Sequence, residues 1–468
     1  MTAAPDGMPV PDRYLAMAAI IVGISLSVLD ATIVNLALPG MARDLGASPT
    51  HTVWIVNAYQ LAILGLLLPF AKLGDLVGYR RVYLGGIALF TAASLACGLA
   101  RSLDVLIAAR ALQGLGAAGI MSVNPALVRR IYPKRLLGRG VAINSFVVAT
   151  GSVAGPSIAA AILSIAKWPL LFFVNLPLGL LALAIGLKAL PQNAVARPAG
   201  ASLRPSDVVL NAAMFGLVFL GGDALGTGRG ADAAIPGGAA VGVGLLVAGL
   251  VVGTIYVLQQ RREAVPMLPI DLLRIPVFGL SMGASITAFA AQTLAYIALP
   301  FLFLEHFGRS HAAAGALITA WPLGVVVTAP IAGRLIGRYP DGLLGGIGLT
   351  LLACGLAALA WLPAQPSNLD IAWRMVLCGV GFGLFQSPNN HTIVTTPPPH
   401  RTGAAGGLLG TARLTGQTLG AVLVASLFSV AGAQQGHGPA LALGVAAALS
   451  LVAGAFSTLR LQHRPAAR

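Results

Sequence analysis

The sequence predicts an all-α protein whose helices cross a membrane many times. Of its 468 residues, 57% are hydrophobic and only 9% are charged, whereas a soluble globular chain carries roughly a quarter charged residues. The apolar runs continue for about twenty residues, the length that a spanning helix needs, and they lack the alternating pattern of barrel strands. Because backbone polar groups in lipid must be satisfied internally, these runs are predicted to be helices.

Fourteen apolar runs are predicted to be spans, separated by short stretches of charged residues, proline and glycine. They cover 14–38, 52–71, 82–100, 103–128, 140–163, 168–190, 207–222, 236–258, 276–304, 312–333, 343–363, 370–392, 403–432 and 438–459. The first run is long enough to span and lacks a convincing small-residue cleavage site. We therefore interpret it as a retained helix and not as a signal peptide.

The distribution of lysine and arginine predicts that both termini are cytoplasmic. With that orientation 21 basic residues fall on the inner side of the spans and five fall on the outer side, as the positive-inside rule requires. The basic residues do not gather in a soluble domain, so nucleic acid is not expected as a partner despite the net charge of +15. We expect a multi-pass protein of the cell (inner or plasma) membrane, surrounded by the lipid bilayer.

Similar residues recur in the same order in the first and last six runs. Arg110, Gly114 and Gly116 in the first half correspond to Arg374, Gly379 and Gly381 in the second half. Likewise, Gly151 and Gly155 correspond to Gly416 and Gly420. This weak repeat predicts two related six-helix lobes, 1–190 and 276–468. The segment 191–275 is predicted to be a linker that contains two additional transmembrane helices.

Asp30 lies inside the first apolar run, in the stretch SVLDATIVNLALPG. A carboxylate in hydrocarbon is costly, so an embedded acid indicates a functional site. On a helix Asp30 shares one face with Ser27 and Gly23. Two interpretations remain open. The favoured one is a carboxyl that binds and releases a proton or cation, and the other is a permanent partner for a buried arginine.

Two arginines lie well inside apolar runs, Arg110 in ARALQGLGAAG and Arg413 in TARLTGQTLG. A guanidinium does not lose its proton in a protein, so neither residue can carry the transported proton itself. Each can tune a carboxyl, bind an anionic substrate or hold carbonyl groups between helices. Arg374 lies nearer the end of its run, where it can extend to the membrane surface.

Polar residues within the runs are candidates for three further kinds of site. The candidate substrate cavity comprises Asn35, Trp54, Asn57, Tyr59, Gln60, Gln386, Asn389, Asn390, Arg413 and Gln417. The candidate gate comprises Lys72, Gly74, Asp75, Gly78, Arg80 and Arg81. The candidate hinge comprises Gly151, Gly155 and Pro156. Amides in lipid should face the bundle or a wet cavity. For Trp54 an interfacial anchor is equally plausible. A simpler interpretation of the gate residues is that they form a positively charged loop on the inner side. A simpler interpretation of the hinge residues is that they only allow close helix packing.

The sequence lacks the signatures of an enzyme. It contains no P-loop, and neither HExxH nor GxSxG occurs in a catalytic context. The three cysteines, Cys97, Cys354 and Cys378, form no CxxC pair, so neither a metal nor another cofactor is expected. Energy for any transport must therefore come from an ion gradient, a separate subunit or the substrate itself.

Several stretches together resemble the major facilitator superfamily, and specifically its fourteen-span drug:proton antiporters. They are LDATIVNLALP, WIVNAYQL, KLGDLVGYRR, RALQGLGAAG, LLFFVNLPLG, QSPNN and RLTGQTLG. The resemblance implies two six-helix lobes that rock around a central cavity and export hydrophobic compounds in exchange for protons. It gives Asp30 and Arg110 proton-coupling roles and makes Asp75 a brace of the cytoplasmic gate, near the start of the thirteenth span. The sequence departs from the family motifs at Ala71, where glycine is usual, and in GPSIAA, which lacks the usual paired glycines.

The leading hypothesis is therefore a proton-coupled antiporter that exports small hydrophobic or cationic, amphipathic compounds by alternating access, as a monomer. A first alternative keeps the fold but transports a specific metabolite or an organic anion, as an exporter or symporter. A second alternative is a membrane sensor or assembly factor, against which the lack of any soluble output domain argues.

Overall fold

The computed structural model describes residues 7–47, 49–52, 54–192, 203–227, 238–261, 263, 270–397, 402–431 and 437–463. The helices in these residues are named along the chain. They are α1 (Asp12–Asp44), α2 (Pro49–Thr52), α3 (Trp54–Val77), α4 (Tyr79–Leu99), α5 (Leu103–Ile131), α6 (Leu137–Ile165), α7 (Pro169–Phe173), α8 (Asn175–Ala189), α9 (Pro205–Thr227), α10 (Gly238–Gln260), α11 (Ile270–Leu273), α12 (Pro276–Phe301), α13 (His311–Leu335), α14 (Asp341–Ala360), α15 (Asn368–Thr395), α16 (Thr402–Ala431) and α17 (His437–Leu459). The predicted all-α class is confirmed.

Twelve stretches of the described residues are helical, long enough and apolar enough to cross a membrane. They lie on α1, α3, α4, α5, α7 with α8, α9, α10, α12, α13, α14, α15 and α17. Helices also occupy the places of the fifth and thirteenth predicted runs, namely α6 with 29 residues and α16 with 30. These two are not among the twelve. In α6 the apolar stretch is Ala154–Ile165.

The chain divides into two compact units. Unit 1 consists of Met1–Gly216 with Val251–Met267, and unit 2 of Leu217–Leu250 with Leu268–Arg468. Helices α9 and α10 each contribute to both units. The boundaries predicted for two lobes and a linker stay a prediction.

Serine side chains fix the starts of three helices. Ser102, Ser310 and Ser367 precede α5, α13 and α15, and each accepts a hydrogen bond from the backbone N–H three residues later. Such caps satisfy one of the free donors at a helix start. Between α3 and α4 the chain turns at Gly78, whose φ of 106° is open to glycine and strained for other residues.

In unit 1, α5 approaches α3 and α4 through glycines. A Cβ added at Gly114 would lie 2.5 Å from the carbonyl oxygen of Tyr59 on α3, and one added at Gly116 would lie 2.5 Å from the backbone nitrogen of Phe90 on α4. The helix backbones therefore touch directly, as small residues permit in membrane bundles. The apolar core beside this contact includes Leu106 and Phe172.

Unit 2 repeats this arrangement with α15 against α13 and α14. Gly379 faces the carbonyl group of Trp321, and a Cβ added at Gly381 would lie 2.5 Å from the backbone nitrogen of Leu352. The core of unit 2 includes the side chains of Trp321 and Leu352. The glycines of the predicted repeat thus occupy equivalent packing positions in the two units.

The glycines of the candidate hinge pack against α1. Gly151 would place a Cβ 3.1 Å from a methyl group of Val28, and Gly155 faces Thr32. Helix α6 continues past Pro156 to Ile165. These glycines therefore contact α1 at Val28 and Thr32, the positions two residues before and after Asp30, while their role as a hinge stays a prediction.

We predict that Gly86→Ala destabilises the protein and that Gly85→Ala does not. A Cβ at Gly86 would lie 2.8 Å from the carbonyl oxygen of Gly116, whereas nothing lies within 4 Å of a Cβ at Gly85. Overpacking of this kind costs about 1–3 kcal/mol, while alanine is otherwise a better helix former than glycine. Thermal unfolding of the two variants in detergent measures the difference, and equal melting temperatures would contradict the packing described here.

Candidate functional site

Asp30 lies in α1 with only 3% of its surface exposed. The residues predicted to share its helix face, Ser27 and Gly23, are also buried. Tyr83 from α4 fits beside Gly23 and donates a hydrogen bond to the carbonyl oxygen of Ala19, 3.1 Å away. The small residues of this face therefore bring α4 close to α1, and Asp30 points into the interior of unit 1.

Three side chains donate hydrogen bonds to the Asp30 carboxylate. Arg110 Nη1 lies 2.5 Å from Oδ2, Gln113 Nε2 lies 2.8 Å from Oδ1, and Asn175 Nδ2 lies 2.9 Å from Oδ1. All three partners are donors, an arrangement that suits the ionised carboxylate. The structure thus brings together the two residues predicted for proton coupling, Asp30 and Arg110, as a buried ion pair.

The guanidinium of Arg110 is held on several sides. Its Nε donates to the carbonyl oxygen of Ile55 at 3.0 Å, and its Nη1 donates to Gln113 Oε1 at 2.5 Å. The ring of Tyr59 lies against the guanidinium, with 4.2 Å from Cζ to the ring centroid, a distance typical of a cation–π contact. Ile55 and Tyr59 can reach Arg110 because Gly114, one turn further along α5, admits α3 at backbone distance.

A second layer of polar side chains orients the first. Ser94 on α4 accepts hydrogen bonds from Gln113 at 2.7 Å and from Asn175 at 3.4 Å, and donates to the carbonyl oxygen of Phe90 at 2.8 Å. The resulting network links α1, α4, α5 and α8. Because each member is both buried and hydrogen-bonded, the network fixes the rotamers around the carboxylate.

Gln113, Asn175 and Ser94 are the site residues that the sequence interpretation missed. Gln113 follows Arg110 by three positions, which places both on one helix face. Asn175 lies in the apolar stretch LLFFVNLPLG and begins α8. An amide inside an apolar run was the available signal for both residues, while nothing in the sequence distinguishes Ser94 from serines that bond to their own helix.

The Asp30–Arg110 pair is electrically neutral and enclosed by protein. The exposed fraction of each side chain is 1%. Two charges taken out of water lose hydration that only good geometry and further hydrogen bonds compensate, and removal of one partner leaves a buried charge without compensation. In the conformation described, neither a proton from water nor a substrate can touch the carboxylate until these side chains move.

The cavity candidates of unit 1 are placed differently from one another. Tyr59 is buried against Arg110, and Asn57 is buried elsewhere on α3. Trp54 and Gln60 are half-buried, and Asn35 is exposed. Tyr59 therefore belongs to the charged network in this structure, and the lining of a cavity by the others stays a prediction.

In unit 2, Asn389 is part of a buried polar cluster near the end of α17. Its Oδ1 accepts a hydrogen bond from Arg460 Nη1 at 2.8 Å, and its Nδ2 donates to Ser285 Oγ at 2.8 Å. The same Arg460 nitrogen donates to Ser281 Oγ at 3.0 Å. Four further cavity candidates are half-buried, namely Gln386, Asn390, Arg413 and Gln417.

The candidate gate is a tightly held turn between α3 and α4. Asp75 accepts a hydrogen bond from the Tyr79 hydroxyl, and Arg130 from α5 stacks on the Tyr79 ring at 4.9 Å. Arg80 donates to the carbonyl oxygen of Leu187 on α8.

The other gate candidates complete this turn. Gly74 packs against Val123 and Tyr79, Lys72 is buried and Arg81 is exposed. These contacts join the turn to α5 and α8, while the bracing of a gate near the start of α16 stays a prediction.

The described residues contain no group of three or more His, Cys, Asp or Glu side chains that could hold a metal ion. The three cysteines are free thiols, of which Cys97 is buried beside the network with its sulfur 3.6 Å from Gln113 Oε1. The described network itself consists of hydrogen bonds and one charge pair.

The chain is similar to known membrane transporters over almost its whole length. It is 49% identical over 458 residues to the uncharacterized transporter YebQ of Escherichia coli (strain K12), covering 97% of each chain. It is 28% identical to the riboflavin transporter RibZ of Clostridioides difficile (strain 630), covering 89% of this chain and 88% of that one. It is 30% identical to the multidrug resistance protein Stp of Mycobacterium tuberculosis (strain CDC 1551 / Oshkosh), covering 89% of this chain and 76% of Stp.

The fold agrees with a solved transporter structure, that of the human organic anion transporter MFSD10 (TETRAN). The TM-score is 0.65 at 16% sequence identity, and the match covers 96% of this chain and 100% of that one. The sequence profile of the Major Facilitator Superfamily matches residues 20–421 and, in a second match, 280–467. The chain therefore belongs to the Major Facilitator Superfamily and is a multi-pass membrane transporter, not an enzyme.

Proposed function

We propose that the protein is a proton-coupled antiporter that exports small amphipathic compounds. The observation that carries the proposal is the Asp30 carboxylate, which is buried in an apolar helix and faces three hydrogen-bond donors. An embedded acid with a defined set of donors is the kind of group that binds and releases a proton during transport. Of the two open interpretations of Asp30, the arginine partner is present, and we propose that its pairing is reversible.

Protonation of Asp30 changes the forces within the network. A neutral carboxyl no longer attracts the guanidinium of Arg110 as an ion and replaces one acceptor site by an O–H donor. Arg110 keeps its bonds to Ile55 and Gln113 and its stacking on Tyr59. The positive charge therefore stays in place, and proton binding loosens the contact between α1 and α5 while the rest of the network persists.

This loosening couples the proton to a conformational change. Since Asp30 and Arg110 are enclosed, a proton can enter or leave only when α1 separates from its neighbours. A ligand shifts a conformational equilibrium only when it binds one conformation more tightly than the other. If the cargo binds one conformation and the proton binds the other, transport exchanges cargo for protons. Direct competition of cargo and proton for the carboxylate is not needed.

We further propose that the protein is a monomer of the fourteen-span drug:proton antiporter family, in the plasma membrane, with both termini in the cytoplasm. The helices α6 and α16 supply the two spans beyond the twelve apolar ones. The excess of basic residues in alternate connections supports the orientation. Relatives named as a multidrug resistance protein and a riboflavin transporter support small organic cargo.

We predict that Asp30→Asn abolishes transport driven by a pH gradient. An amide has the same shape but cannot bind the proton. In inverted membrane vesicles with an acidic interior, uptake of a panel of fluorescent amphipathic dyes and small organic acids should fall to the level of vesicles without the protein. Exchange of labelled cargo at equal pH should continue, because that exchange needs no net proton transfer.

The control for this experiment is Asp104→Asn. Asp104 is an exposed acid in the first turn of α5, so the variant makes the same chemical change outside the network and should transport like the wild type. Full gradient-driven uptake by Asp30→Asn would remove the carboxyl from the mechanism.

A second prediction tests whether Asp30 and Arg110 stabilise the protein as a pair, separately from their role in transport. Arg110→Leu should lower stability by about 3–5 kcal/mol, since it leaves the Asp30 carboxylate buried without compensation. The double variant Asp30→Asn with Arg110→Leu should recover most of that loss and still fail in gradient-driven uptake. Thermal unfolding in detergent and vesicle uptake provide the two readouts. A double variant no more stable than Arg110→Leu alone would show that the pair is not coupled.

A further inference from the structure

Among the described residues, Arg413 has no acidic side chain as a partner. It lies eleven residues after the start of α16, which is about 16 Å along the helix. Its side chain is half-buried. The ion pairs formed by the described residues do not include it. Its described contact is with the ring of Phe289 on α12, 5.3 Å from the guanidinium carbon.

The other arginines embedded in the helices are satisfied differently. Arg110 is neutralised by Asp30, and Arg374 pairs with Asp370 at 3.0 Å. Arg460 is buried, and its nitrogens donate to oxygen atoms of Ser281, Asn389 and Ser457. Arg413 has no comparable set of acceptors among the described residues, although its charge is as permanent as theirs.

The surroundings of Arg413 hold it in place without using its hydrogen bonds. Phe289 is 3% exposed and packs edge-on against Phe382, with ring centroids 5.4 Å apart. Phe382 in turn contacts Phe385, with centroids 6.0 Å apart. A guanidinium stacked on a fixed aromatic ring keeps its N–H donors at the edge, where they can bind an acceptor.

The same helix face offers a second polar group. Gln417 follows Arg413 by one turn and is also half-buried, so the two side chains are neighbours. Both groups therefore have accessible surface from which to contact a molecule that enters between the helices.

We propose that Arg413 binds an acidic group of the transported compound, so that the cargo is an amphipathic organic anion. An arginine within an apolar helix is costly without a counter-charge, and a bound carboxylate, sulfonate or phosphate removes this penalty. The planar guanidinium accepts such groups in a forked, two-bond geometry. Gln417 supplies a further donor to the same group.

This inference rests on the proposed transport function and names its cargo class. It replaces the cationic compounds of the leading sequence hypothesis by the organic anions of its alternative. The charge of Arg110 is already neutralised by Asp30. In this proposal the proton therefore binds in unit 1, at Asp30, and the cargo binds in unit 2, at Arg413. Export of the anion then accompanies entry of the proton.

The test is thermal unfolding of the purified full chain in phosphatidylcholine nanodiscs. Three acids, benzoate, 2-naphthoate and naphthalene-2-sulfonate, are each compared with their uncharged amide. Saturating acid should raise the melting temperature of the wild type by about 2–4 °C more than the amide does. Arg413→Gln should abolish this difference, and Arg338→Gln, which removes an exposed arginine from the same unit, should preserve it.

Two further results decide the inference. Equal shifts by every acid and its amide, or an acid-specific shift that survives in Arg413→Gln, would overturn it. Should Arg413→Gln fail to fold, Arg413→Lys decides. Lysine keeps the charge but not the fork, so a reduced acid-specific shift supports the proposal and an unchanged one contradicts it.

The Asp30→Asn variant separates this inference from the proposed function. It should keep the acid-specific shift of the melting temperature, because Arg413 is intact, and lose pH-driven uptake. Retained uptake by Asp30→Asn together with an Arg413-dependent shift would refute proton coupling at Asp30 and leave anion binding established. Lost uptake by Asp30→Asn without any acid-specific shift would support proton coupling at Asp30 and refute anion binding at Arg413.

Discussion

The structure of unit 1 depends on one enclosed pair of opposite charges, Asp30 and Arg110. Either charge alone is costly in an apolar interior, so pairing favours the contact of the helices that carry them, and the amides of Gln113 and Asn175 complete the hydrogen bonds. With Ser94, which accepts hydrogen bonds from both amides, four helices (α1, α4, α5 and α8) are committed to one arrangement. On our proposal, a proton that neutralises the carboxylate removes the charge–charge attraction to Arg110, and in this way a small ligand acts on whole helices.

The pair can form only because the backbones approach closely. Gly114 lets α3 present the carbonyl group of Ile55 and the ring of Tyr59 to Arg110, and Gly116 lets α4 present Ser94 to the amides. In lipid there is little hydrophobic force between helices, so contact area and hydrogen bonds must hold them together. The glycines serve both needs, since they enlarge the contact and shorten the distance to the polar groups.

The two units use the same helix packing for different chemistry. Gly379 and Gly381 reproduce in unit 2 the contacts that Gly114 and Gly116 make in unit 1. The embedded charges differ, because Arg460 is bound by neutral oxygens and Arg413 rests on an aromatic ring. On our proposals the two units therefore bind different ligands. The proton binds at the Asp30–Arg110 pair of unit 1, and the cargo binds at Arg413 of unit 2, which has no acidic partner among the described residues.

The sequence by itself determined the helical class and the positions of the helices, and it singled out Asp30 as a candidate site residue, because hydrophobic run length and the cost of a buried charge are local properties. It also indicated the equivalence of the glycine motifs in the two halves. Only the tertiary structure showed that Arg110 forms an ion pair with Asp30 and that Arg413 stacks on Phe289, because the fold decides which helices surround each arginine. The roles of Gln113, Asn175 and Ser94 likewise depend on contacts between residues as far as 145 positions apart, which no periodicity along the chain encodes.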